Sequence, residues 1–275
     1  MDESYIGSAH LDFLTLASTN RFAHTLLSKT RPRAGTVIST AFQSAGEGQF
    51  GRSWFGSKGT NLCLSVILYP QIPASTQFTI SAFVALALRD TVAHYIDKEI
   101  SVKWPNDIYV ENRKIGGILI QNSISAKSIE NTIIGIGLNV NESSFPAHIP
   151  NPTSMAIEAG NAGKSGNDLA AHTSVLDNEM AGSPFVIDSV MKKLLEFLNE
   201  WHQRAKNLPM EMLKKQYINN LYKYGEICAF HNNENDTISS ARIMGVDESG
   251  RLLLEFTDVG HVKAYALNQI RHIIV

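Results

Sequence analysis

The stretch STQFTISAFVALALRDTVAHYI, residues 75–96, constrains the fold more than any other. It opens on cap-type residues and is apolar around most of its circumference, so it reads as a helix buried on nearly every side. SVKW, DIYV, KIGGILIQ and TIIGIGLNV follow at short spacing, the middle two joined by ENR, which predicts a hairpin within a sheet. The last of these is almost continuously apolar and reads as a central strand. Upstream, TVISTAFQ (36–43) and LCLSVILYP (62–70) predict two further strands, and an apolar run over 11–16 leads through Ser18-Thr19-Asn20 into RFAHTLLSK, a strand turning into a capped helix. SPFVIDSVMKKLLEFLNEWHQRA (183–205) predicts an amphipathic helix capped by Ser183 with Pro184 in its first turn, and PMEMLKKQYINNLY predicts another. Between them, 141–182 loosens into Asn, Ser, Gly, Ala and Pro, with one short helix readable near Thr153 to Ala159.

From Tyr224 the pattern changes. GEICAFH, DTISSARIMGVDESGRLLLEF and HVKAYALNQIRHIIV alternate with turn signals, and short strands in so small a span pack best as a small β-barrel. Two domains are therefore expected, residues 1–221 and 222–275.

Charge excludes one broad class. Lys plus Arg number 24 against 26 Asp plus Glu, so the chain lacks the basic surface of a general nucleic-acid binder. The acidic MDESYIGSAHLDF start has neither a basic n-region nor an apolar h-region, and the run ISAFVALAL is far short of the roughly 20 residues of a membrane span. Cys63 and Cys228 lie far apart without metal spacing. A cytoplasmic protein without membrane or metal-site features is expected.

GEGQFG, residues 46–51, matches G-x-G-x-x-G formally. A dinucleotide fingerprint needs a helix directly after the glycines, and here RSWFGSKGTN and another strand follow instead. Gln43, Arg52 and Trp54 flank the loop with the polar and aromatic groups of a small-molecule site, although a merely flexible hairpin loop would also use glycines. In KWPNDIYVENRKIGG, Pro105 breaks the chain out of a strand and presents Asn106 and Asp107 beside Trp104. Strand alternation then places Lys114 and Gly116 on one face, the glycine leaving open space beside the ammonium.

Taken together, Ser18-Thr19-Asn20, Gln43-x-x-Gly46-x-Gly48-x-x-Gly51-Arg52-x-Trp54, Lys103-Trp-Pro-Asn-Asp107, Lys114-x-Gly-Gly-Ile-Leu and Gly135-Ile-Gly-Leu-Asn-Val resemble the biotin protein ligases, in order and spacing. The resemblance implies an α+β fold, a mixed or antiparallel sheet with helices like that of class II synthetases, followed by a small SH3-like β-barrel. It implies ATP-dependent formation of biotinyl-5'-adenylate and transfer of biotin to a lysine of a biotin carboxyl carrier domain, with magnesium accompanying ATP. Lys114 and Arg52 would serve the carboxylate and α-phosphate, and Asp107 would orient or deprotonate the acceptor amine. Ser18, Thr19, Asn20 and Gln43 would hydrogen-bond biotin. Gly46, Glu47, Gly48 and Gln49 would close over the ligand with Trp54, while Lys103, Asn106, Gly116, Gly117 and Asn139 would complete the adenylate site. The loop departs from the family's usual arginines at Glu47 and Gln49. A lipoate or octanoate ligase or transferase, and a non-catalytic biotin-binding or repressor protein, are the competing readings. Only 17 residues precede Ser18, too few for a helix-turn-helix, so DNA binding is not expected. A homodimer is compatible with the chain.

Overall fold

The computed structural model describes residues 5–161, 184–257 and 260–274. Seven strands build the larger sheet: β1 (Ala9–Phe13), β2 (Thr36–Thr40), β3 (Leu62–Leu68), β4 (Ile100–Lys103), β5 (Asp107–Val110), β6 (Arg113–Ser125) and β7 (Ser128–Leu138). Their order is β1-β2-β3-β7-β6-β5-β4, with β1 parallel to β2 and every other pair antiparallel. The mixed sheet expected from the sequence is therefore present. β7 lies in the centre, as its uninterrupted apolar run requires.

Side-chain alternation sorts this sheet into two faces. Leu62, Leu64, Val66 and Leu68 of β3, with Ile134, Ile136 and Leu138 of β7, enter the main core. That core is covered by α2 (Phe78–Tyr95), α4 (Ile187–Asn207) and α5 (Met210–Asn219). The interior of α2 is buried almost all round, with eleven of its residues buried, so a single layer could not have covered it. On the opposite face, α1 (Thr19–Lys29) packs Ala23 over Ile38, Ile67 and Ile133 in a separate small cluster. Only part of that face is apolar, and the remainder holds the polar and glycine positions taken up below. Among the described residues no helix is long and apolar enough to cross a membrane.

α4 begins later than expected. Its first residue is Ile187, behind an extended Val186, and no side chain caps it. Phe185 explains the delay, because Asn141 at the end of β7 donates to its carbonyl at 2.8 Å and accepts from its amide at 3.3 Å. The backbone of Phe185 is thereby held against β7 before the helix can start. The predicted cap, Ser183, lies outside the described residues. The short helix expected near 153–159 is α3 (Met155–Asn161).

The second sheet comprises β8 (Ile227–Asn232), β9 (Thr237–Val246), β10 (Leu252–Phe256), β11 (Val262–Tyr265) and β12 (Ile270–Ile273). It is antiparallel in the order β11-β10-β9-β8-β12, so its hydrogen-bonded ladder is open, with β11 and β12 at the edges. The chain reaches it through a built connection. Val102 donates to Asn220 O at 2.8 Å and accepts from Tyr222 N at 2.9 Å, which covers the β4 edge, and Leu221 and Tyr222 are buried. Trp104 Nε1 donates to Gly250 O at 2.8 Å, tying the KWPND segment to the β9–β10 turn.

Candidate active site

The site lies on the face of the larger sheet that carries α1. Its floor is built from residues that would otherwise collide with what rests on them. A Cβ at Gly135 would stand 2.3 Å from Asn20 Oδ1, and one at Gly137 would stand 2.4 Å from the Trp54 ring. Contacts under 3.0 Å are not sustained, so glycine at these positions admits Asn20 and Trp54 onto the sheet. Ser65, also on this face, donates to Asn20 Oδ1 at 2.6 Å and shares a hydroxyl–hydroxyl hydrogen bond with Thr19 Oγ1 at 2.7 Å. Asn20 Nδ2 donates to Gln121 Oε1 at 2.8 Å and to Leu119 O at 3.2 Å. Gln43 Oε1 accepts from the Thr19 amide at 2.8 Å, and Ser18 caps α1 by accepting from Arg21 N at 3.4 Å. Ser18, Thr19 and Asn20 are each buried. They line the cavity as a rigid, mutually bonded wall, as buried polar groups must.

Lys114 reaches the same cavity through an irregularity in the sheet. Between β5 and β6 the register shifts, so that Ile108 faces Gly116 while Tyr109 faces Lys114, leaving Ile115 as an extra residue. This β-bulge resets the alternation. Ile115 and Gly116 both turn toward the α2 core, where a Gly116 Cβ would meet Leu88 at 3.3 Å. The expectation that Gly116 opens space beside Lys114 is thus corrected: the neighbouring glycine is Gly117, whose Cβ would lie 3.5 Å from Lys114 Nζ and 3.6 Å from Asp107 Oδ1. Lys114 Nζ pairs with Asp107 Oδ1 at 2.6 Å and stands 5.7 Å from the centre of the Trp54 ring.

The glycine loop is an ordered hairpin. Gly48 N donates to Arg52 O at 2.7 Å, and Trp54 N donates to Gly46 O at 2.9 Å. No helix follows it, only the short 3-10 turn Gln49–Gly51, so the loop does not have the dinucleotide geometry. Gly46 is required by close approach, since its Cβ would lie 2.7 Å from Trp54 O. Phe50 and Gly51 take the positive φ values of 56° and 73°. Glu47 points to α1, where Arg21 binds it at 2.6 Å. At the loop's far end, the buried carboxylate of Glu142 accepts from Ser57 N, Ser57 Oγ, Thr60 Oγ1 and Asn61 Nδ2 within 3.0 Å. Arg21, Ser65 and Glu142 were not signalled by the sequence, because each acts through a partner remote in the chain.

These elements enclose a cavity of about 120 Å³ containing Ser18, Thr19, Asn20, Gln43, Glu47, Gly48, Gln49, Arg52, Trp54, Asn106, Asp107, Lys114 and Gly117. A cleft of about 470 Å³ adjoins it, sharing Gln49, Arg52, Asn106 and Asp107 and reaching Lys103 and, on the second sheet, Arg271 and His272. Gly46, Gly116 and Asn139 line neither. Asn139 is buried and donates to Thr153 O at 2.9 Å. Asn106 is braced by β6, its side chain donating to Ile118 O at 2.6 Å.

The electrostatics of this region follow from burial. Burial holds the Lys103 ammonium below the usual lysine range, Asp107 opposing and Lys114 and Arg52 adding to the shift. His272, stacked on Phe230 at 4.9 Å, is pushed down to about 4 by burial, with Lys103 and Lys223 contributing. Burial pushes the Cys63 thiol in the floor up to about 12, against the side chains of Gln43 and Trp54 beside it, so Cys63 is no nucleophile at neutral pH. Trp54 Nε1 is buried, and the Cys63 sulfur beside it is a weak acceptor.

Residues 13–139, which contain this floor, wall, loop and lysine, match the Biotin/lipoate A/B protein ligase family. That match covers somewhat less than half of the chain. The bifunctional ligase/repressor BirA of Bacillus subtilis is 32% identical over 148 residues, 53% of this chain and 45% of that protein. The biotin--protein ligase of Homo sapiens is 27% identical over 247 residues, 86% of this chain and 30% of that protein. The chain thus spans about half the length of the BirA relatives it matches. Among solved structures, the biotin protein ligase of Aquifex aeolicus in complex with biotin and ATP superposes with a TM-score of 0.70 at 20% identity, covering 97% of this chain and 100% of that one. The biotin acetyl coenzyme A carboxylase synthetase of Helicobacter pylori with bound biotinylated ATP gives 0.59 at 20% identity, over 93% and 99%. Both sheets therefore follow the biotin protein ligase fold, in agreement with the fold expected from the sequence.

Proposed function

We propose that this protein is a biotin protein ligase that joins biotin to ATP as biotinyl-5'-adenylate and passes the biotinyl group to a lysine of a carboxylase carrier domain. The observation that carries this reading is the Lys114–Asp107 pair at 2.6 Å, set where the small cavity opens into the cation-lined cleft. Relatives in Paracoccus denitrificans and Mycobacterium tuberculosis bear the name biotin--[acetyl-CoA-carboxylase] ligase, which supports the acceptor class.

In the first step the biotin carboxylate attacks the α-phosphorus and pyrophosphate leaves. Bringing two anions together needs fixed cations, and Lys114 in the small cavity and Arg52, which lines both cavities, supply them. The bicyclic head of biotin occupies the small cavity between Ser18, Thr19 and Gln43 and the Trp54 ring. The polyphosphate extends into the cleft toward Lys103 and Arg271. Among the described residues no cluster of three or more His, Cys, Asp or Glu forms a metal cage. Magnesium keeps most of its waters and binds through phosphates with one or two carboxylates, so it fits here as part of the nucleotide, with Asp107 as the nearest carboxylate to offer an oxygen.

In the second step the acceptor amine attacks the mixed anhydride, forming an amide and releasing AMP. Asp107 orients that amine and takes its proton, while Lys114 balances the phosphate oxygens of departing AMP. The hairpin Gly46–Trp54 keeps water from the anhydride. Incubation with biotin, ATP, magnesium and a biotin carrier domain tests the reading: the intact mass of the carrier should rise by one biotinyl group. Lys114→Ala should abolish pyrophosphate release. Release that depends on lipoate and ignores biotin would overturn the assignment.

A further inference from the structure

A fully buried carboxylate stands behind the proposed catalytic lysine. The Glu158 side chain, on α3, is inaccessible to solvent. It pairs with Lys98 at 2.8 Å and with Arg113 at 2.8 Å, and it accepts a short hydrogen bond from the Thr153 hydroxyl. A buried charge is tolerated only when paired and fully hydrogen-bonded, and this one has three partners. Arg113 and Lys98 are themselves partly exposed. The cluster does not line the ligand cavity, so no ligand explains it.

What it holds in place is the backbone on both sides of Thr153. Residues 151–153 run as a short strap beside the start of β6 and pair with Lys114 alone: Lys114 N donates to Asn151 O at 2.7 Å, and Thr153 N donates to Lys114 O at 2.8 Å. Asn139 fastens the same strap, donating from Nδ2 to Thr153 O at 2.9 Å and from its amide to Ile115 O at 2.9 Å. Lys114 and Ile115 are the two residues at the bulge that turns the ammonium to the cavity face. A bulge lacks regular ladder bonds and needs outside partners to hold it.

We infer that Glu158 is a positioning residue for Lys114, acting through Thr153 and the strap to keep the bulge that aims the ammonium at Asp107. Arg113, next to Lys114 in the chain and bound to the same carboxylate, fixes the start of the strand in the same way. The inference rests on the role given to Lys114 above, but the wiring itself is open to a test that needs no catalysis.

That test is the rate at which Lys114 is acetylated by acetic anhydride, read by peptide mass spectrometry, with the hairpin lysine Lys127 as internal control. In Glu158→Gln, Lys114 should be modified several-fold faster than in the wild type, because it leaves the Asp107 pair, while Lys127 is unchanged. Thr153→Val should act in the same direction and Thr153→Ser should restore the wild-type rate, which separates the hydroxyl's role from general loosening. Unaltered labelling of Lys114 in both Glu158→Gln and Thr153→Val overturns the inference. If the two lysines accelerate equally, the role is structural only and the inference also falls. Biotin-dependent pyrophosphate release supplies the second arm. Glu158→Gln should slow adenylate formation on the order of 10²-fold, as a displacement of about 1 Å does, with little change in the KM for biotin. A wild type that labels as described but releases no pyrophosphate defeats the ligase reading and leaves the wiring standing.

Discussion

Replacing Glu47 with arginine distinguishes a carboxylate that repels the ligand from one that holds the loop. Glu47 lines the small cavity, yet its carboxylate is 2.6 Å from Arg21 on α1, with 56% of the arginine side chain and 32% of the glutamate side chain exposed. Pairs this exposed contribute about 1 kcal/mol or less. Reversing one sign replaces that attraction with repulsion of similar size, a swing of about 1–2 kcal/mol, or roughly 5- to 30-fold in the population of the docked loop. Glu47→Arg should therefore release a non-hydrolysable biotinyl-adenylate analogue about tenfold faster than the wild type, as measured by stopped-flow displacement. The difference should shrink as salt rises and the Debye length falls from about 30 Å at 0.01 M to about 8 Å at 0.15 M. Arg21→Glu combined with Glu47→Arg should return release to near the wild-type rate. Slower release from Glu47→Arg alone, or no recovery in the double variant, would refute the reasoning and make the missing loop arginine the controlling feature.

The remaining predictions follow from the floor and from the junction of the two sheets. Gly137→Ala should expel the Trp54 ring, with which its Cβ would overlap at 2.4 Å, and titration calorimetry should find biotin binding lost or weakened at least tenfold; retained affinity would mean that Trp54 is not part of the pocket. Gly250→Ala, at φ +83° with its Cβ 2.3 Å from Phe78, should cost about 1–3 kcal/mol, seen as a lower urea midpoint at constant slope. His272, held down to about 4 from 6.5, binds fewer protons folded than unfolded, so stability should fall as pH drops from 6.5 toward 4. His272→Phe should flatten that part of the profile by on the order of 1 kcal/mol; an unchanged profile in urea titrations would exclude His272 as the source.

Much of the site was legible because its motifs are local. Ser18 to Asn20 begin one helix, Gln43 to Trp54 form one hairpin, and Asp107 and Lys114 lie on the two strands of one hairpin, close enough for their side chains to pair. What was misread depended on an extra residue: alternation places Gly116 beside Lys114, and only the bulge at Ile115 exchanges it for Gly117. Asn139 could not be assigned correctly from the sequence, because the carbonyl that claims its side chain belongs to Thr153, in a segment without periodicity. The late start of α4 has the same origin, a tertiary bond from Asn141 to Phe185. Pairings such as Arg21 with Glu47, or Glu158 with Lys98 and Arg113, leave no trace in spacing, since each joins residues that only the finished fold brings together.

The bond from Trp104 to Gly250 has a practical corollary for anyone re-engineering the chain. Residues of both sheets belong to one continuous apolar cluster, with Phe230, Ile243 and Leu252 in it alongside Trp104 and Val102. A graft that exchanges the C-terminal module at residue 221 would sever the segment that seals β4 and would leave an indole donor without its acceptor, next to Pro105 and Asn106. A viable chimera would have to import the Asp247–Arg251 turn in its native conformation, together with a surface shaped to Phe78. The smaller module is therefore a fixed wall of the larger cleft rather than an interchangeable appendage.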